Sequence, residues 1–335
     1  MHERLFRLWG VLVLVASLAI GWFGFGYQAY VSSPLTVPPA GLTVDVAPGT
    51  SLKMLAQQLH RRHIIANVRY FVWMARLKGV SHDIRAGEYR IEPGMTPEQL
   101  LTRIVQGKVI EYSLTLVEGW TFRQVMATIR ANPNLRHTLD GVSDAAIMAR
   151  IGAPGVFPEG HFFPDTYKFP RGLTDVEFLR RAYQRMNTVL AEEWAQRAAD
   201  LPLHTPDQAL TLASIIEKET GRPDERAEIA GVFVRRLQKG MRLQTDPSVI
   251  YGLGLAFDGN LRKRDLERDT PYNTYTRKGL PPTPIAMPGR ASIHAALHPA
   301  AGDALYFVAR GDGSHQFSAT LEQQDQAIRR YQLHR

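Results

Sequence analysis

Apolar residues recur at helical or strand spacing along nearly the whole chain, and segments containing proline or glycine separate these runs. Alternation of apolar and polar positions predicts strands at residues 42–46 and 87–91. Between them, apolar positions three and four apart predict one helix starting at Ser51 and another near residues 68–77. The pattern therefore indicates a small unit over residues 42–109 with the element order β-α-α-β.

The remaining chain, residues 110–335, has the pattern of a second and larger domain. A strand-like run at residues 112–117 precedes a long amphipathic helix at about residues 175–199. The later predicted elements are, in order, a helix from Thr205 to Glu219, an amphipathic helix ending at Gly240, a hairpin over residues 305–317 and a closing helix over residues 321–333. Helices and strands are mixed in both parts, so the predicted fold class is α+β.

The N-terminal segment is predicted to be a transmembrane helix. Residues 8–30 contain no charged side chain, and this run exceeds the ~20 residues needed to span a bilayer. Two arginines precede it and the next basic residue is Lys53, so the positive-inside rule places the N-terminus in the cytoplasm. A cleaved signal peptide is the alternative, although the run is long for one and no A-x-A-like site follows. We assign residues 1–32 to the cytoplasmic N-terminus and anchor, and the proline-rich residues 33–41 to a linker.

One predicted helix of the larger domain ends in the most informative carboxylate of the chain. Leu212, Ile215 and Ile216 share an apolar face, and Glu219 is the next position of the same series. Glu217 lies about 200° away around the helix axis, so the two carboxylates cannot face one cleft. An acid held against apolar side chains has a raised pKa and suits proton donation near neutral pH. Glu219 is thus a candidate general acid; the alternative is a surface residue in a fraying last turn.

Composition narrows the class of protein. The 335 residues include no cysteine, which excludes disulfides and thiolate metal sites. The net charge of +8 favours an anionic or membrane-proximal partner, but the basic residues are dispersed, so nucleic acid is not expected as a partner. His161 and Asp165 are four residues apart, yet Pro164 interrupts a helix there and no third ligand is spaced nearby. We therefore expect no metal site and no cofactor.

Three stretches of the larger domain combine amide, hydroxyl and carboxylate side chains and are predicted to be loops, at residues 241–252, 270–275 and 279–282. Such loops are commonly turns, but long polar loops between helices are also where binding residues tend to lie. A fourth stretch, residues 158–167, mixes aromatic and acceptor side chains as sugar-binding sites do. Its aromatic side chains suit a buried core equally well.

Four motifs in the larger domain carry a resemblance to a known family: ASIIEKET at residues 213–220, GMRLQTDP at 240–247, YNTY at 272–275 and GLPP at 279–282. With them, the chain resembles the YceG-like endolytic murein transglycosylases (MltG) over nearly its whole length. The resemblance implies a LysM-like glycan-binding subdomain at residues 42–109 and a lysozyme-like catalytic domain at residues 110–335. A generic small α+β domain is the alternative for residues 42–109.

The resemblance also implies a reaction and its residues. Glu219 matches the catalytic glutamate of the family. The implied reaction cleaves the β-1,4 bond between N-acetylmuramic acid and N-acetylglucosamine in nascent peptidoglycan without adding water, which leaves 1,6-anhydro-muramic ends and terminates glycan strand elongation. The residues implied to contact the substrate are Gln244, Thr245, Asp246, Tyr272, Asn273 and Tyr275.

The expected partners follow from the same resemblance. They are peptidoglycan glycan strands, the inner membrane and peptidoglycan synthases, with the chain crossing the cell inner membrane once and its catalytic domain in the periplasm. Two alternatives are a non-catalytic peptidoglycan-binding scaffold of the wall-synthesis complex, and a hydrolytic muramidase that uses Asp246 with water. The scaffold predicts binding without bond cleavage, and the hydrolase predicts reducing ends.

Overall fold

The computed structural model describes residues 2–333 and is of mixed α+β class, as the sequence predicts. It divides into two compact units. The first unit comprises the chain up to Tyr112 together with Phe169–Arg171, and the second comprises Ser113–Lys168 together with the chain from Gly172 onward. The recruitment of three residues from the middle of the chain into the first unit has no counterpart in the sequence pattern.

The first unit contains the predicted β-α-α-β order. Its elements are α1 (His2–Ser32), β1 (Leu42–Val46), α2 (Leu52–Arg61), α3 (Val68–Leu77), β2 (Gly87–Ile91) and α4 (Pro97–Gln106). Strands β1 and β2 pair antiparallel with Val44 opposite Tyr89, and both of these side chains are buried. The inward residues of the two strands pack on apolar faces of α2, α3 and α4, which gives this unit a hydrophobic core of its own.

Helix α1 is long and apolar enough over Leu12–Ser32 to cross a membrane. Its last turns belong to the core of the first unit, because Tyr30 is buried and Tyr27 packs edge-on against Tyr70. The segment 33–41, predicted to be a linker, is irregular in structure but also packed: Leu35 is buried, and its amide donates a hydrogen bond to the Met95 carbonyl at 2.7 Å. The proline-rich segment is therefore held against the first unit.

The second unit is mainly helical. Its elements are α5 (Phe122–Ala131), α6 (Asp144–Ile151), α7 (Asp175–Ala195), α8 (Pro206–Glu219), α9 (Arg226–Gln238), α10 (Asp246–Leu253), α11 (Lys263–Glu267), α12 (Arg290–Leu297), β5 (Tyr306–Ala309), β6 (His315–Ser318) and α13 (Leu321–Ile328). Strands β5 and β6 form the predicted C-terminal hairpin, with Phe307 opposite Phe317. Two further strands, β3 (Glu111–Thr115) and β4 (Thr166–Pro170), pair with each other, and the division between the units falls within both.

The core of the second unit surrounds α8, which packs against α7, α9, α10 and α12. In the aromatic stretch at residues 158–167, Phe162 and Phe163 are buried, which fits the core alternative for these two rings. The predicted loop at residues 241–252 is different in the structure, because α10 begins inside it at Asp246. Pro247 lies in the first turn of this helix, where its missing amide proton costs nothing.

Candidate active site

Glu219 lies at the end of helix α8, at the edge of the core. Thr205 Oγ1 accepts a hydrogen bond from the Gln208 amide at 3.2 Å, which caps the start of the helix. Every residue from 209 to 216 is buried, so the helix is anchored on all sides. Glu219 is the last helical residue and is half-buried. The carboxyl group therefore emerges where the helix leaves the apolar core.

The surroundings of Glu219 shift its proton affinity. Burial raises the pKa of Glu219 to about 7, and the negative charge of Asp246 adds to this increase. The Thr245 hydroxyl, His315 and Arg236 act in the opposite direction by favouring the ionised form. An acid with a pKa near neutrality exchanges its proton readily in both directions, which is what a group needs if it first donates and then accepts one.

Thr245 lies beside Glu219 in the segment between α9 and α10. Its side chain is buried, and its hydroxyl acts on the Glu219 carboxyl. The Thr245 amide donates to Thr274 Oγ1 at 3.0 Å, which fixes the backbone at this point. The Thr245 hydroxyl is therefore held beside the Glu219 carboxyl, where it favours the ionised form.

Asp246 and Tyr275 form a second polar pair at the site. The Tyr275 hydroxyl donates a hydrogen bond to Asp246 Oδ1 at 2.6 Å. Burial raises the pKa of Tyr275, and the hydrogen bond to Asp246 raises it further, so the phenol remains a donor at physiological pH. Asp246 is exposed at the start of α10, so the pair is accessible from solvent through its carboxylate.

Asn273 supports the site from within. The residue is fully buried, and its Nδ2 donates to the carbonyl oxygens of Leu266 at 2.9 Å and Arg268 at 2.7 Å. Its Oδ1 accepts a hydrogen bond from the Tyr275 amide at 2.8 Å. Both the nitrogen and the oxygen of the Asn273 side chain are therefore bonded to backbone groups, so Asn273 stabilises the conformation of the 270–275 loop.

Gln244 is exposed and has a positive φ of 51°, which is unusual for a residue other than glycine. Its amide donates to the Thr274 carbonyl at 3.1 Å, and Arg236 Nη1 approaches Gln244 Oε1 at 3.4 Å. Arg236 is buried and also donates to the Leu243 carbonyl at 2.8 Å. The strained backbone at Gln244 is thus held by hydrogen bonds on both sides, and its side chain is exposed.

The second unit contains a cleft of about 950 Å³ next to the last turn of α8. Lys218 and Pro247 line it, and these are the chain neighbours of Glu219 and Asp246. Tyr272 forms part of the wall, where its ring meets Tyr251 edge-on at 4.9 Å and its hydroxyl is 2.9 Å from Thr283 Oγ1. Of the residues predicted to contact substrate, the structure therefore brings Thr245, Asp246 and Tyr275 to the acid and places Tyr272 on the adjoining wall.

A buried acid in the wall of this cleft was not identified from the sequence. Glu159 accepts hydrogen bonds from the Phe122 amide at 2.9 Å and the Tyr251 hydroxyl at 3.1 Å. Burial raises the pKa of Glu159 to about 7, despite these bonds, which lower it. Glu159 ties the start of α5 to α10 and so sets the shape of the cleft.

A second unpredicted pair lies near the acid. His315 is mostly buried, its amide donates to Glu225 Oε1 at 2.9 Å, and its Nδ1 is 2.7 Å from Glu225 Oε2. Local periodicity could not reveal a pair 90 residues apart in sequence. Arg236, in contrast, lies seven positions after Ile229 on the buried face of α9. The periodicity that singled out Glu219 would therefore have found Arg236 as well.

Glu217 faces away from Glu219, as the helix phase predicts. Its Oε2 accepts a hydrogen bond from the Gly289 amide at 2.9 Å, at the start of α12. Burial raises the pKa of Glu118, and the charge of Glu217 raises it further, so these two acids are neighbours on that side of α8. The two glutamates of the EKE motif therefore lie in different environments on opposite sides of α8.

One group of side chains has ligand spacing for a metal ion. The ligand atoms of Glu193, His294 and His298 lie within 4.8 Å of one another. Glu193 also accepts from Arg290 Nη1 at 2.8 Å and lies 2.8 Å from His294 Nδ1. These contacts join α7 to α12 as an ion-pair network, away from the cleft beside Glu219.

A half-buried acid at a helix end, next to a cleft, is the arrangement expected of a general acid. The profile of the YceG-like family matches residues 44–330, and the chain belongs to this family. The match begins within β1, covers the rest of the β-α-α-β elements of the first unit, and includes the helix that carries Glu219.

Three relatives illustrate the similarity. The endolytic murein transglycosylase of Bacillus subtilis strain 168 is 31% identical over 311 residues, which cover 87% of this chain and 84% of that protein. The endolytic murein transglycosylase of Streptococcus pneumoniae D39 is 27% identical over 344 residues, covering 92% of this chain and 61% of that protein. A crystal structure of a YceG-like protein from Listeria monocytogenes matches with a TM-score of 0.54 and 31% identity, covering 85% of this chain and 98% of that chain.

Proposed function

We propose that this protein is an endolytic lytic transglycosylase that cleaves the β-1,4 bond between N-acetylmuramic acid and N-acetylglucosamine in nascent peptidoglycan. The new ends are 1,6-anhydro-muramic acid, and cleavage terminates elongation of the glycan strand. The observation that carries the proposal is Glu219, a half-buried acid with a pKa of about 7 beside an open cleft. Two relatives named endolytic murein transglycosylase support the same reaction class.

The reaction needs one group that changes role. Glu219, protonated, donates its proton to the glycosidic oxygen as the bond to C1 of the muramic acid breaks. The resulting carboxylate then accepts the proton of the C6 hydroxyl as that oxygen bonds to C1. Protons and electrons balance without water, because the proton lost by the substrate hydroxyl restores the acid. The attacking hydroxyl belongs to the same sugar, so proximity favours it over a loosely held water.

Asp246 is the group on which a hydrolytic alternative would depend. Hydrolysing glycosidases generally use two carboxylates, one as acid and one as base or nucleophile. Asp246 is near enough for its charge to raise the pKa of Glu219. Its Oδ1, however, already accepts a hydrogen bond from the Tyr275 hydroxyl at 2.6 Å. We assign the Asp246–Tyr275 pair, with Thr245, Gln244, Tyr272 and Asn273, to orienting the glycan and shaping its site.

Mass analysis of the new chain ends tests this assignment. Purified protein is incubated with uncross-linked peptidoglycan strands, and the products are separated and weighed. We expect anhydro ends, which are lighter by one water than the reducing ends of a hydrolase. Reducing ends would overturn the transglycosylase proposal in favour of a muramidase, and binding without any new ends would favour a scaffold.

We further propose that α1 anchors the chain in the cell inner membrane, with the N-terminus in the cytoplasm and the chain that follows α1 in the periplasm. The apolar span Leu12–Ser32 and the arginines that precede it support this arrangement. The chain contains no cysteine, so single cysteines can report its topology without background. Ser33→Cys should react with a membrane-impermeant maleimide added to the periplasmic side. Protection of Ser33→Cys in spheroplasts, together with labelling after lysis, would reverse the orientation.

The first unit is proposed to be a LysM-like module that binds glycan strands near the membrane. Its β-α-α-β order, with Pro48 and Gly49 after β1, supports this role. The second unit is proposed to be lysozyme-like, with the glycan lying along its cleft. Peptidoglycan synthases are the proposed protein partners, because a strand-terminating enzyme must act where strands are polymerised.

A further inference from the structure

We propose that the cleft beside Glu219 also binds the anionic peptide that substituted muramic acid carries, and that Arg123 and Arg130 recognise its carboxylates. The inference rests on the proposed function, because it specifies the substrate of that same site. The feature that motivates it is an excess of cationic side chains around a cleft whose proposed glycan ligand is uncharged.

The cations are presented by two helices of the second unit. Arg123, Met126 and Arg130 all line the cleft, and their spacing of three and seven residues places them on one face of α5. Both arginines are exposed, whereas Met126 between them is buried. Lys218 lines the cleft from α8, directly before the proposed catalytic acid. On this face of α5, the charged groups of Arg123 and Arg130 therefore form a rim around the buried, apolar Met126.

Acids within the cleft do not neutralise this rim. Asp144 and Glu159 are the acids that line it. Glu159 is buried and has a pKa of about 7, so a substantial share of it is uncharged near neutral pH. Arg130 has an additional acidic neighbour, Asp140, at 4.0 Å, but this pair is widely exposed and therefore weak. The balance of charge in the cleft is positive.

A peptidoglycan strand has one component that matches such a surface. The sugars carry hydroxyl and N-acetyl groups and no charge, so they give an arginine no ionic partner. The peptide attached to the lactyl group of muramic acid carries free carboxylates, which arginine binds through its planar donors. A cleft of about 950 Å³ is near the upper end of ligand-site volumes, so it has room for more than a sugar ring.

The test compares two substrates that differ only in the peptide. Uncross-linked strands are used directly, or after an amidase has removed the peptides and the lactyl carboxylate that each cut exposes has been capped as an uncharged methylamide. For the full chain in detergent, we expect kcat/KM to be higher on the peptide-bearing strands. Arg123→Gln and Arg130→Gln should each lower the ratio of the two kcat/KM values by roughly two- to fivefold, the size expected for an exposed ion pair. The control Arg329→Gln, an exposed arginine outside the cleft, should leave the ratio unchanged.

Salt provides a measurement that needs no variant. Raising the ionic strength screens exposed charges, so the wild-type ratio should fall toward one. Equal kcat/KM on the two substrates, or a ratio that neither salt nor the paired variant Arg123→Gln/Arg130→Gln alters, would overturn the inference and leave the proposed function intact. Failure of the wild-type protein to cut either substrate would instead overturn the proposed function.

Discussion

Tyr275 donates a 2.6 Å hydrogen bond to Asp246 across 29 positions of sequence. The bond ties the 270–275 loop to the first turn of α10, next to the end of α8. The charge of Asp246 is one of the causes that raise the pKa of Glu219. A polar contact between a loop and the start of a helix therefore helps to set the proton affinity of the proposed catalytic acid.

Glu219→Gln should abolish cleavage while preserving the fold. Glutamine keeps the shape of the side chain but has no transferable proton, so we expect a rate loss of about 100-fold or more. The rate is measured as soluble product released from uncross-linked strands. The matched control is Glu217→Gln, because the side-chain oxygen of glutamine can still accept a hydrogen bond from the Gly289 amide. Loss of activity in Glu217→Gln alone would mean that the other acid of the motif carries the reaction.

Asp246→Asn should change the pH dependence of the rate. Glu219 must hold its proton to act, so activity falls as the pH rises through the pKa of about 7. Removing the charge of Asp246 removes one cause that raises this pKa, so the high-pH limb should move to lower pH. The measurement is kcat/KM between pH 5 and 9, with the exposed Asp303→Asn as control. An unmoved limb in Asp246→Asn would show that Asp246 does not tune the acid.

Glu159→Gln should alter how stability depends on pH. The folded pKa of Glu159 is about 7, above its ordinary value of 4.5, so the stability it contributes is full below pH 4.5 and is lost as the pH rises through 7. Glutamine does not titrate. The free energy of unfolding of the variant relative to wild type should therefore increase by up to about 3 kcal/mol between pH 4.5 and 8. Denaturant melts at both pH values measure this difference, and a constant difference would refute the buried-acid assignment.

Removal of the whole of α1 should weaken the first unit. A chain beginning at Ser33 lacks Tyr27 and Tyr30, which pack into that unit, whereas a chain beginning at Gly26 retains both. We expect the shorter chain to melt at least about 5 °C lower. Tyr30→Ala in the longer chain should reproduce part of this loss. Identical melting temperatures for the two chains would mean that the end of α1 contributes nothing to the unit.

Gly160→Ala should destabilise the second unit more than Gly155→Ala. Both glycines have positive φ, 81° and 80° respectively, so either substitution costs roughly 1–2 kcal/mol of backbone strain. A Cβ at Gly160 would also lie 2.4 Å from Pro284 Cβ, whereas a Cβ at Gly155 meets nothing within 4 Å. The overlap should add about 1–3 kcal/mol. Denaturant melts of both variants give the comparison, and equal losses would contradict the close approach of Gly160 to Pro284.

The sequence alone determined the elements that depend on local spacing. The β-α-α-β order, α8 with Glu219 at its end, and the C-terminal hairpin follow from apolar periods of two and 3.6 residues, because those periods decide which side chains share a face. The same period separated Glu219 from Glu217. Where local signals conflict, the prediction was wrong: the polar residues around Asp246 and Pro247 are typical of a loop, yet they begin a helix.

Tertiary structure decided which of these residues meet and what each one does. Glu159 reaches Tyr251 across 92 positions and Glu225 reaches His315 across 90, and no local pattern encodes contacts at such separations. The family resemblance implies that Asn273 contacts the substrate, and in the structure backbone groups bond to both ends of its amide. The pKa of Glu219 depends on burial and on charges from three other segments. Periodicity can place an acid on a face, but only packing determines how much water and charge surround it.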